Sequence, residues 1–93
     1  MEIIQENNEK NGFFKALENG KEAGIMTYLW SGKDKFIIEH TIVNEEFEGK
    51  GIGKKLVMQA VEFARDNHVK ILPYCSFAKK VFEKTEEIQD VLF

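Results

Sequence analysis

Three glycines stand at alternate positions, Gly49, Gly51 and Gly53, between a β-branched apolar run and a run with helical spacing. Glycine is unfavourable at the start of a helix because it loses more conformational freedom on folding than other residues do. A helix N-terminus carries unpaired N–H groups and about half a positive charge. Glycines let an anion, most often a phosphate, reach those N–H groups without meeting a Cβ atom. The stretch therefore predicts a phosphate-binding turn, and the alternative is a turn that only starts a helix.

Two common phosphate-binding patterns do not fit this stretch. A Walker loop, G-x-x-x-x-G-K-[ST], needs glycine where the chain has Glu48 and a hydroxyl residue where it has Lys55. A dinucleotide fingerprint, G-x-G-x-x-G, needs glycine in place of Lys54. The spacing therefore indicates that the three glycines form neither a Walker loop nor a dinucleotide-binding turn.

The rest of the chain predicts strands first, and then a helix, a strand and a helix. Asn19-Gly20 is a strong signal for a two-residue hairpin turn. Helical spacing begins at about Gly51 and ends at Asn67, and Ser76 is the expected cap of a last helix that ends at about Lys84. The tail after Lys84 is expected to add a turn or a short helix. The predicted strands are Glu2–Asn7, Gly12–Glu18, Lys21–Trp30, Lys35–Val43 and Val69–Pro73.

Hydrophobic patterning gives the fold class. The helix after the glycines has one apolar stripe, which predicts packing on a sheet: Ile52, Leu56, Val57, Ala60, Val61 and Ala64. The strand Lys35–Val43 is apolar on both faces, as expected of a central strand. With 93 residues the chain suits one α/β (α+β) domain over residues 1–93.

Composition limits the possible binding partners of the protein and its cellular compartment. The net charge of −3 argues against a general nucleic-acid binder, and no apolar run is long enough for a membrane span. Cys75 is the only cysteine, so an internal disulfide is impossible and a reducing cytoplasm fits best. No group of His, Cys, Asp and Glu has metal-ligand spacing, so no metal is expected. The chain is expected to be a monomer.

The stretch VNEEFEGKGIGKKLV resembles the coenzyme A loop of the GNAT superfamily of N-acetyltransferases, whose motif is [QR]-x-x-G-x-[GA]. Gly51 and Gly53 match its glycines, Val43 matches an apolar residue at the end of the preceding strand, and Phe47 matches a frequent aromatic. Glu48 departs from the usual Gln or Arg, and its side chain is expected to point to solvent. The resemblance implies a mostly antiparallel sheet with a splayed strand pair, one main helix after the glycine loop and a short C-terminal helix.

The resemblance also implies a cofactor, acetyl-CoA, and the residues that bind it. The end of the central strand, Thr41, Ile42 and Val43, would pair with pantetheine, and a backbone N–H there would polarise the acetyl carbonyl. The coenzyme A pyrophosphate would lie on backbone N–H groups of the glycine loop, which spans Glu48, Gly49, Lys50, Gly51, Ile52, Gly53 and Lys54. The side chain of Lys54 is also expected to reach a phosphate.

A second stretch, CSFAKKVFEK, resembles the family pattern N-x-x-A-x-x-[LF]-Y-x-[KR] in the following helix. Ala78, Val81 and Lys84 match, whereas Cys75 replaces the Asn and Phe82 replaces the Tyr that usually reprotonates the coenzyme A thiolate. The role of that Tyr is therefore lost or has moved. The stretches EHT at 39–41 and PYCSFAK at 73–79 resemble a small stand-alone branch of the YjdJ type, which lacks the two closing strands of larger members.

Three residues are candidates for catalysis. Glu39 and His40 are possible bases for the amine, and strand alternation predicts that they face opposite sides. Cys75 lies at an expected helix start, which favours thiolate character, so it could donate a proton to the leaving sulfur or accept an acetyl group itself. The alternative for each of them is a structural residue. Tyr74 is a weaker candidate for the missing phenol.

Two functions remain open on the sequence. The first is acetyl transfer from acetyl-CoA to an unidentified amine. The second is an acetyl-CoA-binding or acyl-carrying module with little transferase activity, self-acetylated on Cys75. The absence of the usual Tyr favours the second function more than it would in a relative that has one.

Overall fold

A computed structural model describes all of residues 1–93. Its sheet has five strands in the order β1-β2-β3-β4-β5. Two α-helices follow β4 and β5, and two 3-10 helices lie at Glu45–Phe47 and Glu86–Val91. The predicted elements are confirmed, with differences of one residue at four ends. The strands and helices are β1 Glu2–Asn7, β2 Asn11–Glu18, β3 Lys21–Trp30, β4 Lys35–Val43, α1 Ile52–Asn67, β5 Lys70–Pro73 and α2 Ser76–Lys84.

Strand pairing follows from the connections. β1 to β4 form antiparallel neighbours through short turns, and Asn19 and Gly20 both take positive φ, as a two-residue hairpin of this kind requires. β5 runs parallel to β4 because α1 carries the chain back across the sheet. This pairing extends only from Lys35 to Ile38, whereas β4 continues to Val43. The two strands therefore splay apart beyond Ile38, as the resemblance implied.

The core lies between one face of the sheet and the two α-helices. The predicted stripe of α1 is buried throughout, from Ile52 to Ala64. It packs against aromatic side chains of the sheet, including Tyr28 and Phe36, whose ring centroids lie 4.7 Å apart. The Tyr28 hydroxyl donates to Asn7 and accepts from Gln5, and burial raises the pKa of this phenol. A buried phenol is tolerated here because its oxygen has two hydrogen-bond partners.

The opposite face of the sheet carries no helix, and we call it the open face. The register assigns to it the side chains that alternate away from the core, including Phe13, Ile25, Leu29, Ile37, Ile42 and Leu72. None of these is buried, and Ile42 is 63% exposed. β4 lies between β3 and β5, so the prediction of an interior strand is confirmed, but only one of its two apolar faces is covered. Both α-helices pack on the same side.

A β-bulge at Glu39 reverses the alternation of β4. Ile38 pairs with Tyr28 and His40 pairs with Thr27, so Glu39 is one extra residue on β4. Phe36 and Ile38 point to the core before the bulge, and Thr41 and Val43 point to the helix side after it. The prediction that Glu39 and His40 face opposite sides is therefore wrong. The bulge sets both on the open face.

The C-terminal residues fold back onto β5. Leu92 forms a parallel bridge with Ile71, and the N–H of Phe93 donates to the Ile71 carbonyl oxygen at 3.0 Å. Arg65 of α1 binds Asp90 with two hydrogen bonds, and this partner lowers the pKa of the Asp90 carboxyl. These contacts hold the tail against α1 and β5. Neither α-helix combines the length and apolar composition that crossing a bilayer requires.

Candidate functional site

The glycine turn, residues 48–54, contains a row of unpaired backbone donors. The N–H groups of residues 49 to 54 make no hydrogen bond within the protein, and the first paired N–H is that of Lys55, which donates to Gly51. No acidic residue lies in the first turn of α1. Glu48 is exposed, as expected, but it also lines a groove between β4 and α2. Lys54 is exposed beside the donors. Six adjacent N–H groups at a helix N-terminus form a site for an anion.

Two of the three glycines are required by backbone conformation. Gly49 has φ 81° and Gly51 has φ 74°, a left-handed region that costs residues with a Cβ about 1–2 kcal/mol. No atom lies within 4 Å of the position of an added Cβ at either residue. The space beside both glycines is therefore open to a ligand, as the sequence predicted.

At Gly53, glycine is required for a different reason. It has helical conformation, and an added Cβ would lie 2.6 Å from Cζ of Phe77. The aromatic ring therefore lies against the backbone of α1, and glycine is needed for this close approach of the two helices. The interpretation that all three glycines make way for an anion is wrong for Gly53, because a side chain of α2 already covers it.

A groove of about 520 Å³ extends from the glycine turn between β4 and α2. Its floor is formed by Thr41 and Val43, which the bulge turns to this side. Phe77 and Val81, one turn apart on α2, form the opposite wall. Phe77 was not among the predicted site residues. Its spacing of four residues from Val81 places both side chains on one face of α2, beside the inward face of Ala78 and Phe82, and this spacing could have identified it. The lining residues are Thr41, Val43, Phe47, Glu48, Gly49, Gly51, Ile52, Gly53, Lys54, Phe77 and Val81.

Cys75 lies where β4 and β5 part. Its backbone N–H and that of Tyr74 both donate to the carbonyl oxygen of Ile38, at 3.2 and 3.0 Å. The Cys75 sulfur accepts the N–H of Ala78 at 3.3 Å and lies 3.3 Å from the hydroxyl oxygen of Thr41. Cys75 is therefore the N-cap of α2, and the prediction that Ser76 caps this helix is wrong. Its half-exposed thiol is held in one place by two contacts.

The remaining catalytic candidates lie away from the groove. Glu39 is half-buried and His40 exposed on the open face, and neither lines the groove. Ile42, expected to contact the cofactor, also points to the open face, although its backbone remains on the β4 edge. Phe82 is 1% exposed, so the position of the usual Tyr belongs to the core. Tyr74 is 68% exposed.

The comparison with protein families decides the identity of this fold. A family model described as GCN5-related N-acetyltransferase matches residues 13–91, which include the groove and the splayed strands. The chain belongs to this family. Its fold and its class as an N-acetyltransferase follow from that membership and from the relatives below.

Relatives support the assignment at several distances. A GCN5-like protein from Staphylococcus aureus, solved by NMR, is 35% identical, with a TM-score of 0.76, and the match covers 99% of this chain and 87% of that one. Protein NATD1 of Xenopus tropicalis is 25% identical over 77 residues, which are 83% of this chain and 71% of NATD1. A GNAT family acetyltransferase from Elizabethkingia anophelis, solved with acetyl-CoA bound, is 18% identical, with a TM-score of 0.66. That match covers 81% of this chain and 52% of the other, and it shows the fold alone.

The chemistry of the site fits the cofactor that the GCN5-related family uses, acetyl-CoA. Six backbone donors and Lys54 suit a diphosphate, and the space beside Gly49 and Gly51 is open. Apolar Val43, Phe77 and Val81 line the groove that leads from those donors towards Cys75. The site therefore offers anion donors at one end, an apolar wall along its length and a thiol near the other end.

Proposed function

We propose that this protein transfers the acetyl group of acetyl-CoA to a primary amine. The observation that carries the proposal is the row of six unpaired N–H groups, residues 49–54, at the mouth of a groove that leads to the splayed strands. The open space beside Gly49 and Gly51 leaves room for a diphosphate next to these donors. The single free cysteine also supports a reducing compartment, and we place the protein in the cytoplasm.

The chain's own residues have distinct tasks in this reaction. The N–H groups of the glycine turn and the Lys54 ammonium bind the diphosphate, and Phe77 and Val81 exclude water along the groove. Beyond Ile38 the edge of β4 has no strand partner, so backbone groups of Thr41 to Val43 are available to orient a ligand. Acetyl-CoA supplies the acetyl group as a thioester.

Proton transfer requires a base and an acid. An amine is nucleophilic only after its ammonium form has lost a proton, and the Glu39 carboxylate or the His40 imidazole accepts that proton. The thiol of Cys75 donates a proton to the departing sulfur and regains one from the amine nitrogen through solvent. Phe82 has no hydroxyl and is buried, which supports assigning the donor role to Cys75.

The second candidate is an acyl-carrying module that is acetylated on Cys75. It is favoured by one observation, namely that the sulfur of partly buried Cys75 lies 3.3 Å from the hydroxyl oxygen of Thr41, which lines the groove. Glu39 and His40 lie on the open face instead. In that reaction the Cys75 sulfur forms a bond to the acetyl carbon, the bond from that carbon to the coenzyme A sulfur breaks, and the thiol proton passes to the departing thiolate.

One experiment separates the two candidates. The protein is incubated with acetyl-CoA, with and without a panel of amines, while free thiol release and protein mass are followed. Multiple turnover that depends on an amine supports the transferase. A single hydroxylamine-labile acetyl adduct that disappears in Cys75→Ser, with no turnover on any amine, supports the carrier. If neither turnover nor an adduct forms, and acetyl-CoA leaves the amide NMR signals of residues 48–54 unchanged, the proposed function is wrong.

A further inference from the structure

The open face is formed by strands alone, without a helix that would enclose a small molecule against it. Small-ligand sites bury most of the ligand in a concave pocket. Here five strands about 4.8 Å apart form a sheet face roughly 19 Å across from β1 to β5, and both α-helices pack on the other face. Its apolar side chains lie in neighbouring rows across the strands, as Ile25 beside Ile42 and Leu29 beside Ile37 show. A surface of this shape suits an extended or helical polypeptide segment.

The charges of the open face favour a basic partner. The register places three lysines on it. Two of them pair with carboxylates, and the third donates to a backbone carbonyl oxygen, which leaves its charge unpaired. Lys15 pairs with Glu22 at 3.5 Å, Lys35 pairs with Asp34 at 3.7 Å, and Lys70 donates to the carbonyl oxygen of Asp90 at 2.6 Å.

Carboxylates on the same face have no such partner. Glu2 and Glu6 of β1 and Glu39 of β4 form no ion pair in the structure. Against these three carboxylates stands one lysine without a carboxylate partner, Lys70, so the charge left to interact with a ligand is negative on balance. Complementary charge of this kind steers association and suppresses wrong partners.

The open face and the groove share one segment of β4. Thr41 and Val43 point into the groove, whereas Glu39, His40 and Ile42 of the same segment point to the open face. Only the thickness of one strand separates them, and this strand has no neighbour on its β5 side beyond Ile38. An amine that lies against Glu39 and His40 is therefore adjacent to the gap that leads to Cys75 and Thr41.

We propose that the open face docks the acceptor and that the acceptor is a basic polypeptide segment whose lysine supplies the amine. This inference rests on the proposed acetyl transfer. The lysine ammonium gives one proton to Glu39 or His40, and its nitrogen then bonds to the acetyl carbon while the bond from that carbon to sulfur breaks. A second proton from the amine nitrogen protonates the coenzyme A sulfur, which leaves as a thiol. The apolar rows hold the side chains that flank the lysine.

The test uses a short peptide of repeated Lys-Leu-Gly units, blocked at both ends, and a control peptide with Glu in place of Lys. Binding to the ¹⁵N-labelled protein is followed by NMR without acetyl-CoA. The expected result is that shifts map to the strand residues of the open face and that the Glu peptide does not bind. Two variants, Glu6→Lys and Leu29→Lys, should each weaken binding about fivefold or more. Glu83→Lys on α2, with the same charge change as Glu6→Lys, should leave it unchanged.

Several outcomes would overturn the inference. Shifts confined to α1 and α2, equal binding of both peptides, or unchanged affinity in both face variants would remove the open face as the docking site. A concentration-dependent dimer that Leu29→Lys dissociates would assign the face to a second copy instead. A parallel titration with acetyl-CoA keeps the two proposals apart, because shifts at residues 48–54 and turnover with a small amine would leave acetyl transfer standing even if the peptide failed to bind.

Discussion

The hydroxyl oxygen of Thr41 and the sulfur of Cys75 lie 3.3 Å apart across the gap between β4 and the start of α2. The same sulfur accepts the N–H of Ala78, so one atom both caps a helix and joins it to the central strand. Thr41 reaches this position only because the bulge at Glu39 turns it to the helix side. Changes at Cys75 should therefore affect stability as well as chemistry.

Replacing the capping thiol separates these effects. Cys75→Ala should lower the free energy of unfolding by about 0.5–1 kcal/mol, because the Ala78 N–H loses its acceptor, whereas Cys75→Ser should retain the cap. Ser76→Ala is the matched control and should change nothing, since its side chain makes no capping bond. Chemical denaturation measures all three. Equal stability of Cys75→Ala and the parent would show that the Cys75 sulfur does not stabilise the start of α2.

The left-handed conformation at Gly51 gives a prediction for the binding of acetyl-CoA. Gly51→Ala should cost about 1–2 kcal/mol of stability and weaken acetyl-CoA binding, because strain and the new Cβ disturb the row of N–H donors. Gly20→Ala is the control, since Gly20 has φ 80° and open space but lies in the β2–β3 turn. Calorimetric titration should show a loss of affinity of about tenfold for the first and none for the second. Equal affinity in both would argue against the turn as the binding site.

The contact between Gly53 and Phe77 should appear as an energetic coupling. Alanine favours a helix over glycine by about 1 kcal/mol, so Gly53→Ala should stabilise the protein in a Phe77→Ala background, where the ring is gone. In the parent, the ring must shift from a Cβ only 2.6 Å away, and the gain should be lost or reversed. A double-mutant cycle of unfolding free energies gives the coupling. Identical effects of Gly53→Ala in both backgrounds would contradict the packing.

Acid should weaken the attachment of the C-terminal tail. Arg65 lowers the pKa of Asp90 below its ordinary value of 3.8, so this pair contributes stability above that pH. The contribution is lost as the pH falls through the lower pKa of the folded state. The melting temperature of Asp90→Asn should therefore lie below that of the parent at neutral pH, and the two should converge as the pH falls below the ordinary pKa of 3.8. Asp66→Asn, exposed on α1 without an ion pair, should follow the parent throughout.

Sequence patterns predicted those parts of the molecule that depend on neighbours along the chain. The Asn19-Gly20 turn, the buried stripe of α1 and the glycine turn that precedes this helix each follow from local sequence or helical spacing. The bulge was missed because one extra residue in an apolar strand leaves no local mark, and its position depends on pairing with β3. The Gly53–Phe77 contact joins residues far apart in the sequence. The open face depends on both α-helices packing on one side, which no strand pattern specifies.

The bridge between Ile71 and Leu92 has a consequence for the behaviour of the protein at high concentration. A sheet that is not closed into a barrel has two edges, and each can recruit another chain into a fibre. At the β5 edge, the last residues of the chain occupy the hydrogen-bonding positions nearest Ile71. At the β1 edge, Glu2 and Glu6 would bring like charges together if the β1 strands of two copies paired. Removal of Leu92 and Phe93 should therefore shorten the lag before aggregation on gentle heating, even where the unfolding temperature changes little.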